Sequence, residues 1–591
     1  MSNIIFPAQN LDHTLNKIGI TQVIKMSQNK KLKLLIDDSL LILIMATLAC
    51  CGLIYEYLLS HYSARILGSV ETVIYAIIGI MIVSMGLGAF AAKRIKDAFQ
   101  GFVVLELVVA FIGCSATLFI ASLIGFSQTL PQIIADTYQM PMDMLPSGGL
   151  LAKINWISLQ LPYIFAFILG FLIGMEIPLI ARIRETIYGH HLAHNAGTIY
   201  GADYIGAGIG AAIWVLFMLK IEISQAAALT ATLNLVAGFI FLMRFKKYLR
   251  NIKWLLLGHA FLALLVIAVF HYGGGWQKHM QNMLYLDKVV YQTQTPYQNL
   301  VFTERQLGGG LEPIYNFHIN GRLQFSSLDE NIYHEFLVHP AMLTSNKHDN
   351  ILIIGGGDGL ALREVLKWQP KAVTLVDLDP DLIKLFTSPE EVLPAHLATK
   401  IKNLTADSFK DPRVEVINDD AFIAIDKLLQ NKRVFDTIII DLPDPSHPDL
   451  NKLYSVNFYY RLNHLLNSDG VMVVQSTSPF HAKNAFISIA KTVKEANFKQ
   501  VEQYHQNVPS FGQWGWTIAT KKGASVSERL SRNNVLSVDT SWLSSALLEG
   551  SFIFNKGFYK DKDTVKINYL GSNQLYQYHQ KAWERETELS Q

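Results

Sequence analysis

Cysteine is nearly missing from this sequence: there are three in 591 residues, Cys50, Cys51 and Cys114, all inside apolar runs and none after residue 272. That supply does not make a disulfide framework or a thiolate metal site. Charge is scarce as well. Asp, Glu, Lys and Arg make up 17% of the chain and the formal net charge is +2, so nothing in the balance asks for a nucleic acid partner and none is expected. A uniform texture is also lacking. Half of the residues are hydrophobic, yet nearly all the long apolar runs fall before residue 272.

Seven of those runs, near 39–59, 70–92, 102–126, 157–181, 199–219, 223–243 and 254–271, approach or exceed the length that crosses a bilayer, about 20 residues for about 30 Å of hydrocarbon. The first starts too late for a cleaved signal peptide and six others follow it. Residues 1–34, polar and lysine-bearing, read as a lead-in to a transmembrane domain over 35–272. Basic residues cluster before the first run (Lys25, Lys30, Lys31, Lys33), after the second (Lys93, Arg94, Lys96), after the fourth (Arg182, Arg184) and after the sixth (Arg244, Lys246, Lys247, Arg250, Lys253). Those are alternate loops. A multi-pass protein of the cell membrane is expected, with a cytoplasmic N-terminus by the positive-inside rule. Gly170 with Gly174, and Gly206 with Gly210, have the four-residue spacing that brings helices close. Glu56, Glu106, Glu176 and Asp203 lie in or at the ends of the runs. They are either a cation site or acids paired within the bundle and at its interfaces. His190 and His194 in HHLAH stand one helical turn apart, a spacing that binds metals, but in a loop with no carboxylate in the motif; no metal is expected.

From about 284 the texture changes. YNFHINGRLQFSS places an Asn-Gly turn between β-like runs, and a small β unit is expected over 284–348. Strands near 350–354, 372–376, 413–417, 435–440 and 470–475 then alternate with helices near 360–368, 380–387, 420–429 and 456–466. That alternation predicts a mostly parallel, doubly wound sheet, a Rossmann-like domain over 349–520 followed by a tail over 521–591. Ligands of such sheets lie across the carboxyl ends of the strands. Those ends carry Asp358 in GGGDG, Asp377 and Asp379, Asp419 and Asp420, and Asp441 and Asp444 in IIIDLPDP.

GGGDG does not complete G-x-G-x-x-G, because Leu360 stands where the last glycine belongs. It fits the shorter turn of S-adenosyl nucleoside binders, and Asp377, about twenty residues on, can accept the ribose hydroxyls. So many converging carboxylates repel one another unless a cation joins them. Asp358 stands where ordinary S-adenosylmethionine would bring its carboxylate, and would instead hold an ammonium group. A nucleoside sulfonium with an amine and no carboxylate is decarboxylated S-adenosylmethionine, expected here as a co-substrate rather than a permanently bound cofactor.

YQNLVF, DENIYHEFLVHPAM, ILIIGGGDGLALREVL, DPRVEVINDDAF, FDTIIIDLPDPSHPDLNKLYSVNFYYRL and GVMVVQSTSPF together resemble the polyamine aminopropyltransferases, the spermidine synthases, over about 284–520. GLIYEYL, GLGAF and GMEIPLIAR, and the tail through Asn568, Leu570 and Trp583, are similar to the membrane-bound bacterial members. The resemblance implies that Gln298, Asp358, Asp377, Asp419 and Asp420 hold the nucleoside. Gln298 and Asp377 would take its ribose side, Asp358 its propylamine and Asp419 its adenine, with Pro448 lining the pocket. Tyr333 and His334 would line the acceptor amine, Asp441 would be the catalytic base, and Asp444 would anchor the acceptor. It also implies putrescine or a similar polyamine as acceptor, and a dimer or larger oligomer. Asp420 replaces a usual glycine, Leu442, Pro443 and His447 depart from the family pattern, and Phe511 aligns with an expected acceptor-side tyrosine.

Two rivals stay open: a polyamine transporter or sensor that uses the α/β domain to bind its ligand, and an ordinary methyltransferase. Topology is in tension with the enzyme. Seven crossings from a cytoplasmic N-terminus put the α/β domain outside, whereas the aminopropyl donor is made in the cytoplasm.

Overall fold

The computed structural model describes residues 10–67, 70–138, 149–189, 194–283, 285, 287–307 and 309–589. His190 of the HHLAH motif lies outside them, and the described His194 is exposed. The chain forms two compact units, residues 1–284 and 285–591.

The described residues of the first unit form the helices α1 (Asn10–Leu67), α2 (Val70–Ala91), α3 (Ala98–Tyr138), α4 (Leu150–Ile173), α5 (Glu176–Tyr188), α6 (Asn195–Leu216), α7 (Ile223–Phe245) and α8 (Ile252–Asn282) and their short connections. Among the described residues seven segments are long and apolar enough to cross a membrane, judged by length and composition, with α4 and α5 forming one of them. Each holds one of the seven apolar runs. The last is longer than its run, because the helix continues through Gly273–Gly275.

The spaced glycines pack as their spacing predicts. A Cβ on Gly174 would stand 2.0 Å from the Met85 carbonyl oxygen, and one on Gly206 would stand 2.0 Å from that of Ala46. Only a missing side chain lets α4 lie on α2, and α6 on α1, at that separation.

The basic loops gather at one end of the bundle. Arg184 pairs with Asp38 at 2.6 Å, Arg244 with Asp37 at 2.6 Å, and Arg182 donates to the Ile95 carbonyl at 2.7 Å. At the other end Lys278 of α8 meets Glu222, which precedes α7, at 3.7 Å. The chain therefore leaves α8 at the end away from the basic loops.

The second unit holds two sheets. The first is an antiparallel meander of β1 (Lys288–Gln294), β2 (Asn299–Arg305), β3 (Ile314–Ile319) and β4 (Arg322–Ser326). The β3–β4 turn is Asn320-Gly321, with φ values of +51° and +79°, the left-handed pair that a tight hairpin turn of this kind uses.

The second sheet has strand order β10-β11-β9-β8-β5-β6-β7, with β5 (Asn350–Gly355), β6 (Ala372–Asp377), β7 (Val414–Asn418), β8 (Phe435–Asp441), β9 (Leu466–Gln475), β10 (Gln500–Val508) and β11 (Gly512–Thr520). Strands β9, β8, β5, β6 and β7 run parallel, and the β10–β11 hairpin closes one edge antiparallel. Helices cover both faces, so the middles of the central strands are continuous apolar runs, 351–354 in β5 and 438–440 in β8. Leu352, Ile354, Ile438 and Ile440 enter one core, while Ile351, Ile353 and Ile439 enter the other.

Candidate active site

Two strand ends make the floor. The glycine turn after β5 folds back onto the end of β8, where the Gly356 amide donates to the Asp441 carbonyl at 3.1 Å. Gly355 has φ +78°, and a Cβ on it would fall 2.1 Å from that same carbonyl oxygen. A Cβ on Gly357 would fall 2.8 Å from an Asp377 carboxylate oxygen, which instead accepts the Gly357 amide at 3.1 Å. Gly355 is thus required by close approach as well as by backbone angle, and Gly357 by close approach alone. Asp358 starts α10 (Leu360–Leu366) by accepting the Leu360 amide through Oδ1 at 3.0 Å.

His334 brings the third wall, on α9 (Glu330–Thr344). One ligand atom each from His334, Asp358 and Asp441 lies within 4.8 Å of the others, the spacing of a cation site. The His334 Nδ1 lies 2.7 Å from the Glu330 carbonyl and 3.0 Å from its carboxylate, and Arg363 holds that carboxylate at 2.8 and 3.0 Å. Burial alone would lower the His334 ring's pKa; hydrogen bonding and charge from Glu330, with the charges of Asp358 and Asp441, outweigh it and hold the ring at about 9.

Burial pushes Asp358 up to about 6, against the His334 charge. It also pushes Asp377 up to about 6, against the amides of Asp379 and Gly357. Burial likewise raises Asp441, opposed by His334 and by a hydrogen bond from the Tyr333 hydroxyl to Oδ1 at 2.7 Å. Tyr333 itself, pushed up by burial and by the Asp441 charge, stays protonated as that donor.

Other strand-end acids are already answered within the chain. Asp419 pairs with Lys427 at 2.5 Å and Asp420 with Lys452 at 2.6 Å, while Asp420 also caps the next helix at the Phe422 amide. Asp379 accepts from Thr295 at 2.7 Å and from the Gln298 side-chain amide at 2.9 Å, and its other oxygen caps α11 (Pro380–Thr387). Counting carboxylates from sequence therefore overstates the repulsion. Asp358, Asp377 and Asp441 carry most of it. Gln298 stands beside the Asp377 end by way of Asp379, and Pro448 opens a short helix, Pro448–Asn451, in the loop after β8.

On the far side of Asp441, Tyr333 meets the rings of Phe511, Trp514 and Trp516 at centroid distances of 6.1, 6.4 and 5.7 Å. Asp444 accepts from Thr477 at 3.3 Å and from Gln475 at 3.4 Å, and His579 Nε2 lies 3.2 Å from it.

Sequence reasoning missed His579, Gln475, the Glu330–Arg363 support and the two tryptophans. Only Glu330 left a local signal, four residues before His334 on one helix face. His579 lies 135 residues from Asp444 on the helix Gln574–Leu589. Glu335, the third residue of YHE, points away from the cleft and accepts the backbone amides of Ser541, Trp542 and Leu543.

Carboxylates of Asp358 and Asp441 gathered with His334 at the strand ends of a doubly wound sheet, beside the aromatic rings around Tyr333, are the arrangement of a group-transferring enzyme that handles cationic substrates. The spermine/spermidine synthase domain family matches residues 330–530. A polyamine aminopropyltransferase of Shewanella oneidensis is 56% identical over 93% of this chain and 95% of its own length. Polyamine aminopropyltransferase 1 of Streptomyces coelicolor is 34% identical over 87% of this chain and 89% of its own length. A solved spermidine synthase from Thermotoga maritima is 26% identical, with a TM-score of 0.40, covering 47% of this chain and 89% of that one. The chain belongs to the polyamine aminopropyltransferase (spermidine synthase) family, and it is an enzyme that transfers aminopropyl groups in polyamine biosynthesis.

Proposed function

We propose that the chain transfers the aminopropyl group of decarboxylated S-adenosylmethionine to putrescine, giving spermidine and methylthioadenosine. The convergence of His334, Asp358 and Asp441 carries this reading. With His334 protonated and both acids ionised, the cluster has a net negative charge ready for an ammonium group. Asp377, with Gln298 beside it, would take the ribose, the loops bearing Asp419, Asp420 and Pro448 the adenine, and Asp358 the propylamine. The aromatic wall around Tyr333 suits the methylenes of a diamine whose far ammonium meets Asp444. The attacking amine displaces neutral methylthioadenosine from the propyl carbon beside the sulfonium, and Asp441 accepts the amine's proton. Purified protein given both substrates should release methylthioadenosine, and S-adenosylmethionine should not replace the donor. Absence of release would overturn the reading.

Asp358 and Asp377 are raised to about 6, so both are charged above that pH and lose charge as pH falls through it. A cationic donor binds the charged forms, so its affinity should fall about tenfold per pH unit below about 6 for each proton that must leave. Donor titrations without acceptor at pH 7.5 and 5 measure this, and a flat dissociation constant would remove the carboxylates from donor binding.

His579 would act as a positioning residue for the acceptor through Asp444. His579→Ala should raise the putrescine KM about tenfold, the worth of one hydrogen bond to a charged group, with a smaller change in kcat. His579→Gln should restore part of it. A KM unchanged by the alanine would leave His579 a packing residue.

Residues 349–520 would form the transfer domain, 284–348 its β flank, and 521–591 a tail that supplies His579. The bundle over 35–272, after the lead-in 1–34, would anchor the enzyme in the cell membrane as a multi-pass protein. The exit of the chain at the end of the bundle away from the basic loops favours an outward-facing enzyme. A reporter fused after residue 591 decides the side. At least a dimer is expected, and sedimentation of the solubilised chain measures it.

A further inference from the structure

The interior of the helical unit contains hydrogen-bond acceptors without donors. Glu106 on α3, Asn234 on α7 and His259 on α8 are 2%, 1% and 5% exposed. The Asn234 amide donates to Glu106 Oε2 at 2.8 Å. That leaves Glu106 Oε1 and Asn234 Oδ1 buried with no hydrogen-bond partner. His259 Nδ1 lies 2.8 Å from the Leu255 carbonyl, which can only accept, so the ring hydrogen belongs on Nδ1. Nε2 is then a bare lone pair, and it too is buried and unpartnered.

Gly238 lies between the Glu106 and His259 side chains. It stands one helical turn after Asn234, and a Cβ built on it would lie 3.5 Å from Glu106 Cβ and 3.5 Å from His259 Nε2, with no other atom within 4 Å. Glu176, itself buried with an unpartnered oxygen, lies within electrostatic reach of Glu106. Among the described residues no lysine or arginine pairs with either acid.

We propose that Glu106, Asn234 and His259 form a binding site within the bundle for a single ammonium group. An ammonium head brings three N–H donors and no acceptor, one for each of the three lone-pair atoms, and its charge answers Glu106. Water would bring donors without the charge. A divalent metal would want more oxygen ligands than the two present. The head could belong to free ammonium or to the end of an alkyl amine, and both present the same chemistry to the site. The bundle would then be an amine-binding element as well as an anchor. This inference does not rest on the reading of the catalytic cleft.

The test uses the full-length protein in lipid nanodiscs, with equilibrium binding of radiolabelled methylammonium and of radiolabelled putrescine. Gly238→Ala should set a methyl group against His259 Nε2 without a clash, since its Cβ meets only ordinary contacts, and alanine suits a helix better than glycine. Glu106→Gln removes the charge and keeps the shape. Each variant should lose one amine site per chain while the cleft's site and the rate of aminopropyl transfer stay within about twofold of the unaltered protein. Asp444→Asn should do the reverse, weakening the cleft's site and sparing the bundle's. Methylammonium binding that both bundle variants abolish would mean that a bare ammonium head suffices; putrescine binding alone would mean that the alkyl chain is needed. An unchanged number of sites in both variants, or binding of neither amine outside the cleft, would overturn the proposal. Because sites are counted by binding, a failure of the catalytic reading would not resemble a failure of this one.

Discussion

Asp441→Asn is expected to lower kcat about 10²–10⁴-fold, the usual contribution of a positioned base, while donor binding changes far less because Asp358 and Asp377 remain. A free alkylamine resembles lysine, with a pKa of about 10, so it arrives protonated and must lose its proton to attack. Burial raises Asp441, which brings its basicity closer to that of the amine. The Tyr333 hydroxyl, 2.7 Å away, fixes one carboxylate oxygen, leaving the other for the substrate. Asparagine preserves the shape and the tyrosine contact, and it relieves a buried charge, so the fold should hold. Single-turnover release of methylthioadenosine together with donor titration separates the two effects. Turnover that survives within a factor of a few would show that positioning alone, which can supply about 7–11 kcal/mol, drives the transfer, and that Asp441 is not the base.

Asp358→Asn should weaken the decarboxylated donor about 10- to 150-fold, the equivalent of about 1.5–3 kcal/mol for a hydrogen bond to a charged group. Its affinity for S-adenosylmethionine should rise or stay level, so the discrimination between the two collapses. Asp358 Oδ1 caps α10 through the Leu360 amide at 3.0 Å, and an asparagine oxygen can do the same. The substitution therefore removes charge from the cleft without unwinding the turn. With the carboxyl at about 6, most molecules are ionised at neutral pH, and repulsion of a substrate carboxylate is present under working conditions. An unchanged ratio of the two dissociation constants would mean that donor selection lies elsewhere in the cleft.

Much of this site was legible because strand ends and glycine turns are local features. ILIIGGGDG carries its own strand, its turn and the first acid, and Asp377 and Asp441 follow from the same alternation of strands and helices. Asp419 and Asp420 were legible as positions but not as charges. Their lysine partners stand 8 and 32 residues later, and only the packed helices bring them within ion-pair distance. The β10–β11 hairpin escaped notice because an edge strand such as QVEQYHQNV is half solvated and mixes polar with apolar residues. Yet its partner strand supplies Trp514 and Trp516 to the aromatic wall around Tyr333.

By itself the sequence determined the seven apolar segments, the alternating basic loops, the doubly wound sheet and the acids at its strand ends. Each of these is written in residue type and short-range periodicity, which local chemistry enforces. Tertiary structure alone decided which acids stay free to meet a cation, that His334 is held charged by Glu330, Asp358 and Asp441, that His579 reaches Asp444 across 135 residues, and that Glu106, Asn234 and His259 keep unpartnered acceptors inside the bundle. The physical reason is common to all four. A group's charge and hydrogen-bonding capacity are set by its neighbours and its distance from water, and folding assigns both from parts of the chain that the linear order keeps apart.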